Sequence, residues 1–173
     1  MTQPVDGKIW FASYGNGFGM IDTKTKSYYE YDVSGNPDKC RSDFINAVKV
    51  SDDGTIWVAS EEQGICKVTM EGKEIREARY CSVDDGLPAN NIRGINISGD
   101  DVWLTLPNMI CQISRDNLQV CGKFLQDDEV MGCQFTTLAG IKASNGFIYY
   151  GTSQGIIELQ PEKMHDLFDG KSV

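Results

Sequence analysis

Histidine, positive charge and long apolar runs are scarce in this sequence, and each shortage disfavours a class of function. One histidine, His165, occurs in 173 residues, so a catalytic arrangement built on histidine has a single candidate. Sixteen Lys and Arg face 25 Asp and Glu, and a net charge of -9 disfavours binding to nucleic acid or to an anionic membrane. No apolar run approaches the roughly 18 residues that a membrane-spanning helix needs. We therefore expect a globular segment that contacts neither nucleic acid nor membrane.

The cysteine spacing does not indicate a metal site. The six cysteines are Cys40, Cys66, Cys81, Cys111, Cys121 and Cys133. None lies in a Cys-x-x-Cys pair, so a zinc ribbon is disfavoured, and we expect no metal and no cofactor. Cys111 and Cys121 flank a predicted turn and could form a disulfide across it. Burial as small hydrophobic side chains is the interpretation we favour.

What the sequence does contain is a repeat of 46 or 47 residues, marked by Trp10, Trp57, Trp103 and Tyr149. Each aromatic lies in a similar phrase: DGKIWFAS (6–13), DGTIWVAS (53–60), GDDVWLT (99–105) and NGFIYYGT (145–152). A second apolar phrase follows each one after five to ten residues. A period of this length, made of short β runs and turns, indicates the blades of an all-β propeller.

Each repeat is predicted to form four short antiparallel strands. In the second repeat we expect strands over residues 45–50, 56–60, 64–68 and 74–80. The Asp53-Gly54 pair predicts a tight hairpin with positive φ at both positions. Trp57 and Val58 should face opposite sides of the sheet, both buried, because blades stack on both faces. The repeats are expected at about 5–43, 44–90, 91–134 and 135–162, with residues 163–173 as a tail towards an absent domain.

One column of the innermost strands is always small, with Ala47, Gly94 and Gly140. Innermost strands converge around a narrow channel, where a large side chain would collide with a neighbouring backbone. We therefore interpret this column, like the recurring aromatics, as a packing requirement and not as a binding site.

The strand count predicts an incomplete ring. The first repeat should lack its innermost strand and the fourth its outermost strand. About three and a half blades remain, a fragment of a larger propeller for which we expect seven blades. Closed propellers have about four to eight blades, so apolar faces would stay exposed at both ends. A longer chain, imperfect closure or a homodimer that forms a seven-bladed ring would each cover them.

Residues 85–92, DGLPANNI, with residues 53–60 and Gly64-Ile65, resemble the two-component-regulator propeller repeat. Such repeats form the periplasmic sensor regions of hybrid two-component system histidine kinases in Bacteroides-type bacteria. The resemblance extends over about residues 5–162, although Ala59 and Thr105 replace a frequent glycine. It implies a non-catalytic periplasmic sensor segment, which belongs to a longer receptor and responds to glycan-derived ligands such as oligosaccharides.

A ligand of such a propeller is expected at the loops near the channel. Aromatic and amide side chains of these loops are our candidate ligand contacts: Tyr14, Asn16, Asn90 and Asn108. Asparagine is also favoured in turns for its backbone conformation, and aromatic residues often pack blades together. Both interpretations stay open for these four residues.

Two other functions stay open as well. An incomplete ring is suited to a structural or dimerisation module, and a propeller can also carry a hydrolase or a lyase. The glycine-rich segment 15–19 is interpreted as a hairpin, because no helix follows to bind phosphate. Adjacent aspartates such as Asp52-Asp53 are interpreted as turn residues and not as calcium ligands. A streptogramin lyase, which resembles these repeats loosely, would need histidine near the channel, and no repeat contains one.

Overall fold

The computed structural model describes residues 6–31, 44–125 and 134–168 of the chain. Within them, fourteen strands form four antiparallel sheets, which we call blades 1 to 4 in chain order. Blade 1 contains β1 (Lys8–Ala12), β2 (Phe18–Asp22) and β3 (Ser27–Tyr31). Blade 2 contains β4 (Ile45–Val50), β5 (Ile56–Ser60), β6 (Ile65–Glu71) and β7 (Glu74–Cys81). Blade 3 contains β8 (Gly94–Ser98), β9 (Asp101–Thr105), β10 (Met109–Ser114) and β11 (Val120–Leu125). Blade 4 contains β12 (Phe135–Lys142), β13 (Ile148–Thr152) and β14 (Gly155–Leu159), and helix α1 (Pro161–Phe168) follows.

The predicted all-β fold of propeller blades is confirmed. Blades 2 and 3 have four strands each, and blades 1 and 4 have three each. Within the described ranges, blade 1 has no strand inside β1 and blade 4 has none outside β14, as the strand count predicted. In blade 2, β4 and β5 have the predicted bounds. β6 continues three residues beyond its predicted end, because its pairing with β7 extends through a bulge at Thr69 and Met70.

Each inner blade buries both faces, because successive side chains of a strand point to opposite sides. Trp57 is fully buried and packs towards blade 3 against Val102 and Leu104. Its neighbour Val58 points the other way and packs with Trp10 of blade 1. In an inner blade the repeated tryptophan therefore faces the next blade along the chain, as Trp57 does.

One main-chain hydrogen bond recurs at the junctions between blades, and we call it the blade link. A carbonyl at or just beyond the end of the aromatic-bearing strand accepts from an N–H at or just before the start of the next blade. The links are Ile45 N to Ser13 O (3.3 Å), Ile92 N to Ser60 O (3.0 Å) and Phe135 N to Pro107 O (3.0 Å). Because both partners belong to the main chain, the same geometry joins successive blades whatever side chains stand there.

The β4–β5 turn differs from the predicted one. Gly54 has a φ of 82°, but Asp53 is not among the residues with positive φ. The Gly54 N–H donates to Ser51 O at 2.9 Å, and Ser51 N donates to Thr55 O at 2.9 Å. This is a three-residue loop that needs one left-handed residue, so the expectation of positive φ at Asp53 is wrong. Asp53 is used for its carboxylate, which accepts from Ser51 Oγ at 2.7 Å and from Thr55 N at 2.9 Å.

The positions of the small column are closely packed. Ala47 is 2% exposed. A Cβ added at Gly94 would lie 2.8 Å from Thr105 Oγ1, and one added at Gly140 would lie 2.6 Å from Asn96 Nδ2. Strands β4, β8 and β12 contact one another and surround the central channel.

The cysteine expectation holds for three described residues and fails for one. Cys66, Cys81 and Cys111 are buried, and burial raises the pKa of the Cys81 thiol to about 11 and that of Cys111 to about 12. Cys121 is exposed, so its predicted burial is wrong. Cys111 lies opposite Lys123, and neither Cys111 nor Cys121 forms a disulfide. Cys40 and Cys133 lie outside the described residues.

Candidate functional site

Three loops meet at one end of the channel, which we call the channel mouth. They are the β1–β2 turn (13–17), the β5–β6 turn (61–64) and the segment between blades 2 and 3 (86–93). Glu61 N donates to Phe44 O at 3.0 Å, and Gly64 N donates to Asn90 O at 3.0 Å. The first bond joins the β5–β6 turn to Phe44, and the second joins it to the segment between blades 2 and 3, so side chains there are held in defined positions.

An exposed aromatic pair stands at the channel mouth. The rings of Tyr14 and Phe44 lie 4.8 Å apart between centroids, at an interplanar angle of 57°. Tyr14 is 71% exposed and Phe44 is 37% exposed. The two residues also form an isolated antiparallel bridge, which orders the backbone beneath the rings. Packing against Phe44 thus restrains the Tyr14 ring while leaving much of it available to a ligand.

A polar cluster lies beside this pair, formed by Asn46 of β4 and by Glu61 and Asn91 of the loops. Asn46 Nδ2 donates to Glu61 Oε2 at 2.6 Å and to Ile92 O at 3.0 Å. Asn91 Nδ2 donates to Glu61 Oε1 at 2.7 Å. Each carboxylate oxygen of Glu61 therefore receives one amide donor, which fixes the carboxylate while leaving acceptor capacity on both oxygens. Asn91 Oδ1 is buried and has no hydrogen-bond donor among the described residues.

A cavity of about 430 Å³ lies between the innermost strands below the mouth. Its wall includes the small column and also Tyr14, Asn46, Lys49 and Leu138. The small side chains of the column leave this space open, and Lys49 adds a positive charge to it. The volume falls within the range of about 300–1,000 Å³ that small-molecule sites usually have.

The four candidate ligand contacts lie in different parts of the structure. Tyr14 lines the cavity and forms the aromatic pair. Asn90 lies in the loops of the mouth, where its Oδ1 accepts from Val83 N at 2.9 Å and holds the loop in shape. Asn16 and Asn108 are exposed on the β1–β2 and β9–β10 turns, and neither belongs to the described lining of the cavity.

Sequence reasoning missed Asn46, Glu61 and Asn91. The Asn46 contact could have been predicted from the repeat, because Arg93 occupies the equivalent position of the next innermost strand. Arg93 Nη1 donates to Phe135 O at 2.7 Å, just as Asn46 donates to Ile92 O. A polar residue beside the small column therefore indicates a side-chain contact between blades. Glu61 lies in an ordinary polar turn, and no local pattern distinguishes it.

Asp52 and Asp53 contribute to the β4–β5 turn and to the junction between blades 2 and 3. Arg115 of blade 3 lies 2.8 Å from Asp52 Oδ1 and 3.1 Å from Asp53 Oδ2 of blade 2. Within the described ranges, no group of three or more His, Cys, Asp or Glu side chains could hold a metal ion. Another adjacent pair in the sequence, Asp127 and Asp128, lies outside those ranges.

A larger cleft of about 670 Å³ lies at the opposite end of blades 3 and 4. The β8–β9 turn, the β12–β13 turn and the start of α1 line it. Helix α1, in the part of the chain that the structure describes, is too short and too polar to cross a bilayer. Because the exposed aromatic pair and the fixed amide and carboxylate groups stand at the channel mouth, we take the mouth as the candidate binding site.

Comparison with known proteins identifies the fold through structure and not through sequence. No family model matches the chain, and no curated protein matches its sequence. The extracellular domain of a hybrid two component system from B. thetaiotaomicron matches with a TM-score of 0.75 at 17% identity, over 92% of this chain and 21% of that one. The extracellular domain of a one component system from the same organism matches with a TM-score of 0.63 at 16% identity, over 91% and 19%. The C-terminal WD40 domain of Sif2 matches with a TM-score of 0.61 at 13% identity, over 93% and 42%.

These similarities establish a stack of propeller blades. The resemblance to propeller sensor regions is confirmed at the level of the fold, because two of these structures are extracellular domains from B. thetaiotaomicron. The chain spans about a fifth of the length of each of those two structures. Function does not follow from fold alone and has to be argued from the channel mouth.

Proposed function

We propose that this chain is a non-catalytic, ligand-sensing segment of an extracytoplasmic propeller, in a receptor of two-component type with a histidine kinase. The structural similarity to extracellular domains of a hybrid and a one component system supports this assignment. The observation that carries the ligand-binding part is the restrained, exposed Tyr14–Phe44 pair beside the channel cavity. The ligand class we propose is a glycan-derived oligosaccharide.

The chemistry of the mouth suits such a ligand. A sugar ring has an apolar face that can stack on the exposed Tyr14 ring, and that contact removes apolar surface from water. Its hydroxyl groups are donors and acceptors, and the Glu61 oxygens retain acceptor capacity next to the Asn46 amide. Few polar groups at fixed positions, with an aromatic surface, are the usual composition of a small-molecule site.

Calorimetric titration with a panel of neutral oligosaccharides tests the proposal. We expect heat of binding for at least one of them and its loss in Tyr14→Ala. Val83→Ala is the control, because Val83 is 46% exposed, lies on neither uncovered blade face and does not line the channel cavity. Binding heat that survives Tyr14→Ala, or no heat with any member of the panel, would contradict the proposal. Turnover of a chromogenic glycoside that Glu61→Gln abolishes would indicate a hydrolase instead.

A structural or dimerisation module is the second candidate. It is favoured by apolar side chains on the outer faces of blades 1 and 4, including Ile156 (77% exposed) and Tyr28. Large apolar side chains grouped on one face commonly mark a surface that another protein covers. Association without binding of any oligosaccharide would select this function.

A further inference from the structure

Blade 4 has one uncovered face in the described structure, which we call the forward face. It points away from blade 3 and carries Ile141, Tyr149, Gly151, Ile156 and Glu158. Tyr149 stands at the position of the repeated tryptophans. Ile141 is 66% exposed and Ile156 is 77% exposed. Apolar side chains of this face, together with Lys49 of blade 2, line a groove of about 490 Å³.

Blade 1 also has an uncovered face, the one that points away from blade 2, which we call the rear face. Trp10 and Met20 pack towards blade 2. The intervening side chains therefore point away from it. The rear face carries Ile9, Phe11, Gly19, Ile21 and Tyr28, together with the exposed Glu30, which pairs with Gly19. The Phe11 ring covers Gly19, where an added Cβ would lie 2.2 Å from Phe11 Cζ.

The inner junctions show what a forward face packs against. Trp57, on the forward face of blade 2, packs with Val102 and Leu104 of blade 3. Those two residues flank Trp103, just as Ile9 and Phe11 flank Trp10. The rear face of blade 1 therefore presents apolar side chains at the same positions as the face of blade 3 that packs against the forward face of blade 2.

Charged side chains at the blade junctions also favour a contact between the forward face of blade 4 and the rear face of blade 1. Lys67 pairs with Trp57 across the forward face of blade 2, and its Nζ donates to Arg115 O at 2.5 Å in the β10–β11 hairpin of the next blade. Glu158 pairs with Tyr149 in the same way and thus takes the place of Lys67 in blade 4. The corresponding hairpin of blade 1 is the β2–β3 turn, which carries the exposed Lys24 and Lys26.

We propose that the forward face of blade 4 docks on the rear face of blade 1 of a second copy of this chain, with Glu158 against Lys24 and Lys26. Two forward faces would bring Glu158 against Glu158, whereas a forward–rear contact places Glu158 near opposite charges. Each copy offers both faces, so two reciprocal forward–rear contacts close two copies into a ring. That ring holds eight sheets, in place of the seven blades expected from sequence, because each copy contributes four.

Light scattering of the 173-residue chain at micromolar concentration tests the association. We expect twice the chain mass of 19.2 kDa. Ile156→Asp on the forward face and Tyr28→Asp on the rear face should each give the monomer. Val83→Asp is the control, since Val83 is 46% exposed on neither face and its variant should stay dimeric. Circular dichroism of each variant shows that it folds.

Charge reversal tests the orientation. In sedimentation equilibrium at low salt, Glu158→Lys should raise the dissociation constant about fivefold, and the Lys24→Glu/Lys26→Glu double variant should do the same. The triple variant, which restores opposite charges across a forward–rear contact, should return to within about twofold of the wild type. A monomeric wild type, a dimer that survives either aspartate substitution, or a triple variant weaker than both parents would overturn the proposal.

Discussion

Asn46 donates its side-chain amide to the main-chain carbonyl of Ile92 at 3.0 Å, and so fastens blade 2 to the segment that enters blade 3. The same amide nitrogen also donates to Glu61 at 2.6 Å. One side chain thereby stabilises a blade junction and positions the carboxylate of the candidate binding site.

Asn46→Ala should destabilise the fold. The change leaves Ile92 O and Glu61 Oε2 without this donor, and an unsatisfied partly buried acceptor costs about 1–3 kcal/mol. Urea unfolding followed by tryptophan fluorescence measures the loss. Asn16→Ala, at an exposed turn position, is the control and should change the free energy of unfolding by less than about 0.5 kcal/mol. Equal losses in the two variants would show that the Asn46 contacts do not contribute.

Asn46→Asp should make stability depend on pH in a way that Asn46→Ala does not. The substitution places a second carboxylate beside Glu61, and repulsion between the two carboxylates raises the pKa of the introduced carboxyl in the folded state. A carboxyl with a raised folded pKa destabilises the fold at neutral pH, and the loss is recovered as pH falls through that pKa. Urea unfolding from pH 7 downwards should therefore show Asn46→Asp approaching the wild type. A parallel approach by Asn46→Ala would refute this explanation.

Asp53 should stabilise the fold only while it is ionised. Partial burial opposes its charge, but hydrogen bonds from Ser51 and Thr55 and the nearby Arg115 outweigh burial and lower its pKa from 3.8 to about 2. The folded pKa lies below the ordinary value, so the contribution is complete above about pH 4 and is lost as pH falls towards 2. We expect Asp53→Asn to be less stable than the wild type at pH 5, by less than about 1 kcal/mol because more than half of the side chain is exposed.

Unfolding of Asp53→Asn and the wild type at a series of pH values checks this expectation. The difference between them should close towards pH 2. Asn108→Ala introduces no titrating group, so its difference from the wild type should stay constant across the series. A difference for Asp53→Asn that also stays constant would show that its charge is not involved.

Trp57 and Tyr149 hold the same place in the repeat but should respond differently to truncation. Trp57→Ala empties a fully buried site between two blades and should cost about 3–5 kcal/mol. Tyr149→Ala removes a half-buried ring from the forward face and should cost less than about 1 kcal/mol in the monomer. Urea unfolding at a concentration low enough for the monomer compares them. Trp57→Phe, which keeps an aromatic ring in place, should fall between the two, and similar losses for Trp57→Ala and Tyr149→Ala would contradict the assigned blade faces.

The blades could be predicted from sequence because an aromatic such as Trp57 has to be buried between two sheets once in each repeat. The turn at Asp53 could not, because the Asp-Gly pair does not specify the length of its loop. The polar cluster was missed for a different reason. Asn46 and Asn91 lie 15 and 30 residues from Glu61, and only the stacking of blades brings them together. Of the predicted ligand contacts, the structure brings Tyr14 to the channel cavity, while binding itself stays a prediction.

The blade link also explains how this fold tolerates divergence. Its acceptors are the carbonyls of Ser13, Ser60 and Pro107, so even a proline can replace serine there without loss of the bond. Mutations at these positions can accumulate while the spacing between neighbouring sheets is conserved. A backbone fit at a TM-score of 0.75 can thus persist when only 17% of residues are identical.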